Sequence, residues 1–454
     1  GINRSIRLMD NAEEANISEA DKKSYNAEGR VLRDWYYLVL WKTWGNVPFY
    51  TENLTFPYIA EQLKADEVYN NMVTDLEEVL DSKILPMKRE LTWAGRMTQA
   101  AAAMIYADYV MYQKDESRYP KALGYVKEVI ASGQYKLVTD YDDLFTYATE
   151  WSDEIILDIN YISAGGKRGW GDAGACGGTV IPAMIGVDGL TYVGGQETGH
   201  GPYTEFEGGW GFCVITRDAY EAFEPGDIRR DVAVLNLDTY QEEMMNRGIA
   251  VNYTGRYQNT GYFLRKYLGR PGGKADQAGD ADLNWENNFH LYRYAETLLV
   301  AAELAWRTNS GEAQGYFDQV RERAGLSPKA ISEEAIMQER RVELLGEGKR
   351  YFDLVRFGKA AEVLKPGGGA IYVTKDAHRF VCTDGTVTQD KPKGEVKTNA
   401  DGKPLNLVIN GELKWTGKGA AIPQRPQWTE NKKYLPIPQI EIESSHGATV
   451  QNPY

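Results

Sequence analysis

The sequence predicts a mainly α protein in which a frame of paired helices carries an irregular, loop-rich lobe with short strands. Apolar residues recur at three- and four-residue spacing over 1–160 and again over 284–364, which is the period of an amphipathic helix. Over 161–283, glycines cluster and the segments between the clusters are too short for helices. We therefore expect an N-terminal helical frame, a loop-rich lobe and a C-terminal helical frame within one composite body spanning 1–454.

The N-terminal frame contains four expected helices. Val31, Trp35 and Leu38 form one apolar stripe in the first helix, and the prolines of the following segment end it. Alanine dominates the third helix, and small side chains let helices approach closely. These helices are expected at about 26–44, 68–80, 95–112 and 119–132.

The lobe and the C-terminal frame follow in order. Short strands are expected at about 154–160 and 261–267, with one helix near 216–223. The later helices, at about 291–305, 312–324, 332–346 and 349–364, include one that Ser332 caps ahead of two glutamates. Residues 365–431 are rich in Gly, Lys and Asp and predict a surface insertion with short strands, and 432–454 predict an extended end. Successive helices of this length suggest stacked antiparallel pairs, although the ~34-residue tetratricopeptide consensus is not visible.

Composition excludes several classes of function. With 51 Lys and Arg against 65 Asp and Glu, the formal charge is −14, and no basic stripe suits a nucleic-acid partner. No apolar run reaches the ~18 residues of a membrane span. The three cysteines exclude a disulfide framework and leave a Cys176–Cys213 bridge open. The four histidines are far apart and show no zinc spacing, so we expect no metal and no cofactor.

The segment 339–358 is charged in a regular way. Four of its residues, spaced by three and alternating in sign, are Glu347, Arg350, Asp353 and Arg356. In a helix they would form neighbouring ion pairs along one face. On a solvated surface such pairs contribute only tenths of a kcal/mol each, whereas buried pairs would fix one helix against another. Neither arrangement performs chemistry by itself.

That segment closely resembles the signature of the SusD/RagB family of outer-membrane lipoproteins that capture nutrients. Other segments resemble further motifs of the family, in the same order along the chain, at 28–30, 45–48, 293–303, 320–326, 435–438 and 451–454. The resemblance therefore runs from about residue 26 to the end. It implies a tetratricopeptide-like α–α superhelix without catalytic activity.

The resemblance also implies partners and a location. Members of the family capture an oligosaccharide, or in the alternative an oligopeptide, above a SusC-like TonB-dependent transporter. They are tethered to the outer cell surface by an N-terminal lipid. Here Gly1 opens on polar residues without the features of a signal peptide, and no lipid-attachment cysteine precedes it. The final tyrosine also lacks the glycine that often precedes it in the family. Anchoring is therefore implied by the family alone.

Aromatic residues make up 12% of the chain and fall into two groups. Those on helical stripes, including Trp35, Trp41, Tyr294 and Trp306, are expected in the core. Those among the glycine clusters could lie against the apolar faces of sugar rings, with polar side chains beside them. The resulting candidate ligand residues are Trp170, Tyr192, Tyr203, Tyr257, Arg168, Asp172, Gln196 and His200.

Other interpretations remain beside this one. Loop aromatics can instead pack a small core under the loop, and Trp210 is expected to be structural in this way. A glycoside hydrolase could use two carboxylates from distant positions, but no Gly-x-Ser-x-Gly elbow or P-loop is present, and we expect no enzyme. A pure helical-repeat adaptor is disfavoured because it has no use for so long an irregular interruption.

Overall fold

The computed structural model describes residues 2–10, 17–163, 169–171, 177–194, 204–247, 249–256, 259–274, 280–364, 380–382, 407–409 and 427–453. The mainly α prediction is confirmed. The helices are α1 (Ile2–Asp10), α2 (Glu19–Trp44), α3 (Ala65–Ser82), α4 (Gln99–Gln113), α5 (Tyr119–Ala131), α6 (Ile181–Ile185), α7 (Arg217–Tyr220), α8 (Arg229–Ala233), α9 (Leu237–Asn246), α10 (Tyr294–Arg307), α11 (Ala313–Arg323), α12 (Glu333–Glu343), α13 (Arg350–Arg356), α14 (Ala360–Val363) and α15 (Gln439–Ser444).

The described strands are short and pair antiparallel in twos. The pairs are β1 (Val47–Pro48) with β2 (Gln62–Leu63), β3 (Ile155–Ile159) with β8 (Phe289–Arg293), β4 (Thr191–Gly194) with β6 (Ile249–Asn252), β5 (Val234–Asn236) with β7 (Tyr262–Leu264), and β9 (Phe380–Cys382) with β10 (Leu407–Ile409). The strands expected from the sequence near 154–160 and 261–267 are present as β3 and β7.

The helices stack in chain order, and the lobe is inserted into the stack. Helices α2, α3, α4 and α5 each pack on the next, and α5 then packs on α10, which packs on α11 and α12. One apolar core runs through all of these helices, while a second core lies in the lobe. The two helical frames expected from the sequence are therefore in direct contact.

Helix α4 lies at the centre of the first core. Its alanines are buried on every side, because α2, α3 and α5 all pack against it. Trp41 is 1% exposed and lies with its ring 5.3 Å from the Tyr109 ring. Tyr294 is buried, and Trp35 and Trp306 pack at the edge of the same core, which confirms the expectation for the aromatics on helical stripes.

Two helix boundaries depend on single residues that the apolar periodicity does not reveal. Helix α4 begins at Gln99 rather than near Gly95, because Thr98 caps it by accepting a hydrogen bond from the backbone N–H of Ala101 at 3.1 Å. Helix α2 ends at Trp44 and is capped by Gly45, whose φ is +71°. A Cβ at Gly45 would lie 2.7 Å from the ring of Tyr434. The glycine therefore lets the C-terminal segment pack on the end of α2.

Three sequence expectations need correction. The single helix expected at 349–364 is divided into α13 and α14, because Gly358 takes a φ of +70°. The C-terminal segment is not wholly extended, since α15 begins directly after Pro438 and carries Glu441 in its first turn. Helices α1, α6, α8 and α9 were not expected, because each spans ten residues or fewer, which is shorter than the window over which apolar periodicity is recognised.

The charged segment 339–358 adopts the buried arrangement. Asp353 lies 2.8 Å from Arg356 on the same helix and 2.9 Å from Arg340 of α12. Arg356 in turn lies 2.6 Å from Glu303 of α10. Glu347 is outside the helix, because Gly346 and Gly348 on either side have positive φ. The segment thus ties three helices together through ion pairs rather than forming a solvated ladder.

A buried ion-pair cluster joins the lobe to both frames. Arg293 lies 2.8 Å from Glu154, 2.6 Å from Glu343 and 2.7 Å from Glu347. From the lobe, Arg229 reaches Glu343 at 2.8 Å and Lys266 reaches Glu347 at 2.7 Å. Burial by itself raises the pKa of Glu347, but Arg293 and Lys266 outweigh this effect and lower that pKa to about 2.

Candidate functional site

Two tryptophans of the lobe stack on one another at the surface. The ring centroids of Trp170 and Trp210 are 5.9 Å apart, and the ring planes differ by 28°. Trp170 is 66% exposed, and Trp210 is half-buried beneath it. Phe212 is also exposed and meets the Trp210 ring edge-on at 6.2 Å. We call Trp170, Trp210 and Phe212 the aromatic platform.

The indole N–H groups of the platform are both held from one short turn. Trp170 Nε1 donates to Asp280 Oδ2 at 2.6 Å, and Trp210 Nε1 donates to Asp282 Oδ2 at 3.2 Å. The turn Ala281–Leu283 is itself capped by Asp280, whose Oδ1 accepts from the backbone N–H of Asp282. Because both rings are held by their polar edges, their faces have a fixed orientation.

Glycines bring the platform backbone against the end of α6. The backbone N–H of Trp210 donates to the carbonyl of Ala183 at 2.7 Å. A Cβ at Gly209 would lie 2.4 Å from that carbonyl oxygen and 2.6 Å from the Cα of Gly186. Gly211 has a φ of +69°. Gly209 and Gly211 are therefore required to hold the Trp210 backbone at this position.

A cation lies at the edge of the platform. The Arg256 guanidinium is 5.3 Å from the centre of the Phe212 ring and 3.3 Å from Asp188. It also donates to the carbonyl of Trp210. The Arg256 side chain is 43% exposed, so it can offer donors to a ligand that lies on the rings.

The residues expected from the sequence have different outcomes. Trp170 belongs to the aromatic platform. Tyr192 lies on β4 and packs on the lobe core, with its hydroxyl 3.1 Å from that of Tyr240. The other candidates fall outside the described residues; they are Arg168, Asp172, Gln196, His200, Tyr203 and Tyr257. Cys176 also falls outside them, and Cys213 is exposed.

Sequence reasoning missed part of this site. Trp210 was expected to be only structural, yet it forms the lower ring of the platform. Asp280 and Asp282 were not candidates, because each lies far along the chain from the indole that it binds. The Gly-Gly-Trp-Gly string is the signal that could have identified Trp210, since such close glycines bring a backbone against its neighbour.

The described part of the chain holds neither a metal-binding cluster nor a membrane-spanning helix. Within it, no group of three or more His, Cys, Asp or Glu side chains is placed to hold a metal ion. None of the described helices combines the length and the apolar character needed to cross a membrane.

Known proteins resemble this chain in both sequence and structure. A SusD-like protein of Formosa agariphila is 26% identical over 379 residues, which cover 77% of this chain and 66% of the relative. The chain thus spans just under two thirds of that curated relative.

Solved structures also resemble this chain, and the alignments of two examples cover all of it. Surface glycan-binding protein A from Bacteroides thetaiotaomicron, in complex with laminarihexaose, is 37% identical with a TM-score of 0.77, and 83% of it is covered. A laminarin-binding SusD-like protein is 28% identical with a TM-score of 0.73, and again 83% of it is covered. The tetratricopeptide-like helical frame is the fold of these neighbours. Residues 154–454 match the model of the SusD family, which is more than half of the chain. The chain therefore belongs to the SusD family.

Proposed function

We propose that this protein binds glycans at the aromatic platform. The stacked pair of Trp170 and Trp210 is the observation that carries the proposal. Sugar rings present apolar C–H faces, and an exposed indole of fixed orientation matches such a face. Arg256 and the two carboxylates of the supporting turn place polar groups near the ring edges, where hydroxyls would lie.

A laminarin-type glucan is the first ligand to test. The 37% identical solved neighbour is in complex with laminarihexaose, and the 28% identical neighbour is described as laminarin-binding. These two proteins support the choice of glycan. The oligopeptide alternative has no comparable support and becomes an outcome of the experiment.

The proposed role is binding without catalysis. The relatives are named as binding proteins. At the platform, Asp280 and Asp282 are each engaged by an indole N–H group. Carboxylates used in this way orient the rings, whereas glycoside hydrolysis needs one carboxyl group to protonate the leaving oxygen and another to act on the sugar.

The cellular location and the transport partner are proposed from the family. We place the protein at the outer-membrane surface, held by an N-terminal lipid, where it delivers its glycan to a SusC-like TonB-dependent transporter. We also propose that 1–454 form one composite body. The direct packing of α5 on α10 and the ion pairs between the lobe and the frames support this organisation.

Calorimetry on the purified chain tests the function. Laminarihexaose, laminarin, a panel of other glycans and a set of oligopeptides are titrated separately. Binding of laminarihexaose without its hydrolysis supports the proposal. Binding of peptides alone would transfer the assignment to the peptide alternative, and hydrolysis that one carboxylate substitution abolishes would contradict the non-catalytic role.

A further inference from the structure

The connection between α3 and α4 carries a second exposed aromatic surface. It spans residues 83–98. The connection 45–64 before α3 is longer still, whereas those at 114–118 and 308–312 in the same stack are short. Binding residues are often carried on such connections. This one contains the turn Leu91–Trp93, which leaves Leu91 70% and Trp93 57% exposed.

An arginine holds this surface in place. The Arg96 guanidinium lies 5.1 Å from the ring centre of Trp93 and 5.2 Å from that of Tyr25. Its Nε donates to Glu28 at 2.9 Å, and the same carboxylate accepts from Arg89 at 2.5 Å. The tryptophan is therefore exposed but contacted on one side, and two guanidinium groups share a single carboxylate beside it. The remaining guanidinium N–H groups of Arg89 and Arg96 can donate to the hydroxyl oxygens of a ligand.

A cavity of about 220 Å³ adjoins the turn. Its lining includes Leu91, Gly95, Arg96, Trp151 and Asp158. Asp158 is 6% exposed, and its Oδ1 lies 2.8 Å from Nδ1 of the buried His290. Among the described residues, no group donates to its other carboxylate oxygen. A buried acceptor without a donor is costly, and it makes the inner wall of the cavity polar at this point.

The backbone around the cavity is held in uncommon conformations. Trp151 has a φ of +65°, which is rare for an aromatic residue, and Gly95 has a φ of +85°. A Cβ at Gly95 would lie 2.2 Å from the side-chain nitrogen of Asn160. Such conformations persist where surrounding contacts enforce them, and they cluster at binding sites.

We propose that Trp93, Arg96 and the adjoining cavity form a second glycan-contacting site. The proposal rests on the proposed function, since it takes the same class of ligand, a neutral glucan. A sugar ring would lie on Trp93 while its hydroxyls reach Arg96 and the cavity. The site is built from α2, the 83–98 connection and the approach to β3, whereas the aromatic platform is built from the lobe. A long chain could therefore contact both sites, which raises its apparent affinity above that of a short one.

Stoichiometry distinguishes this site from the platform. Laminarihexaose is titrated by calorimetry into the native protein, Trp93→Ala, Trp170→Ala and the control Phe56→Ala, whose ring is 85% exposed and belongs to neither site. Laminarin affinity is measured on the same proteins by gel retardation, and thermal melts check that each variant is folded. We expect Trp93→Ala to remove one hexasaccharide site and to weaken laminarin binding roughly tenfold, with Phe56→Ala unchanged.

The outcomes separate the two proposals. If Trp93→Ala matches the native protein in both measurements while Trp170→Ala loses binding, the second site is wrong and the proposed function stands. If the native protein binds no glycan, both are wrong. A second variant, Leu91→Ser, changes the apolar rim without removing the tryptophan, and it should weaken laminarin binding in the same direction.

Discussion

Arg293 and Glu347 are joined by two hydrogen bonds inside the protein, from Nε to Oε2 at 2.7 Å and from Nη2 to Oε1 at 2.9 Å. Both side chains are almost completely buried. Fork-to-fork contact of this kind is the strongest geometry that a guanidinium and a carboxylate can adopt. Arg293 also binds Glu154 and Glu343, so removing it would take one cation away from three buried carboxylates.

The first prediction concerns the stability of this cluster. Arg293→Met should lower the free energy of unfolding by about 3–5 kcal/mol, because three buried carboxylates each lose one of the cations that neutralise them. Urea unfolding followed by circular dichroism measures the change. The matched control is Arg217→Met, whose pair with Glu221 is 45% and 55% exposed and should be worth less than about 1 kcal/mol. Equal losses in the two variants would contradict the role of burial.

The second prediction concerns the stability of the fold at acid pH. Neighbouring cations outweigh burial and lower the pKa of Glu347 and of Asp353 to about 2. A carboxyl whose folded pKa lies below its unfolded value stabilises the fold above the unfolded pKa and loses that contribution as pH falls toward the folded one. Stability should therefore fall between about pH 4.5 and pH 2. Melting temperatures at pH 7, 4 and 3 test this. The melting temperature of Glu347→Gln should be lower than that of the native protein at pH 7 and should fall less steeply as the pH is lowered. A native melting temperature that is constant down to pH 3 would be inconsistent with it.

The third prediction concerns the platform as a ligand site. Trp170→Ala and Trp210→Ala should each weaken laminarihexaose binding by about 1–3 kcal/mol, because truncating a ring that anchors a ligand removes its contact area. Trp170→Ala should leave the melting temperature unchanged, since that ring is mostly exposed. Calorimetry measures both affinities, with Phe56→Ala as the exposed aromatic control. Unchanged affinity in both variants would remove the platform from the proposal.

The fourth prediction concerns the seat of Trp210. Gly209→Ala places a methyl group 2.4 Å from the Ala183 carbonyl oxygen, so the backbone must move and carry the indole with it. We expect a stability loss of roughly 1–3 kcal/mol together with weaker glycan binding. Gly124→Ala is the control, because it lies inside α5 with no atom within 4 Å of the added carbon, and alanine favours a helix. If Gly209→Ala binds glycan as tightly as the native protein, the close approach of Gly209 to the Ala183 carbonyl does not position the aromatic platform.

The fold was predictable where one face of an element is apolar. Val31, Leu38 and Trp41 share the stripe that packs α2 on its neighbours, and that stripe is visible in the sequence because burial selects for it. Helix ends were less predictable, since they depend on single residues such as Thr98 and Gly358. The burial of the 339–358 segment depends on helices and lobe residues far away in the chain, so its two alternatives could not be separated beforehand.

The site was predictable only in part. Trp170 stood out because it is an aromatic among glycines. Its partner Asp280 is 110 residues away, and no local pattern reports that the two meet. For the same reason, the glycines around Trp210 indicate that its backbone is closely packed, but no local pattern shows that its ring lies beneath Trp170.

The buried ion-pair cluster between the lobe and the frames has a consequence for experiments that exchange ligand specificity between relatives. Arg229 and Lys266 belong to the lobe, whereas Glu339 and Glu343 of α12 and Glu347 of the turn after it belong to the C-terminal frame. A transplanted lobe therefore needs a recipient that offers the same carboxylates at the same depth. Chimeras cut at the visible boundaries of the lobe should fail when the recipient lacks them, and each missing partner can be restored by one substitution in the recipient helix.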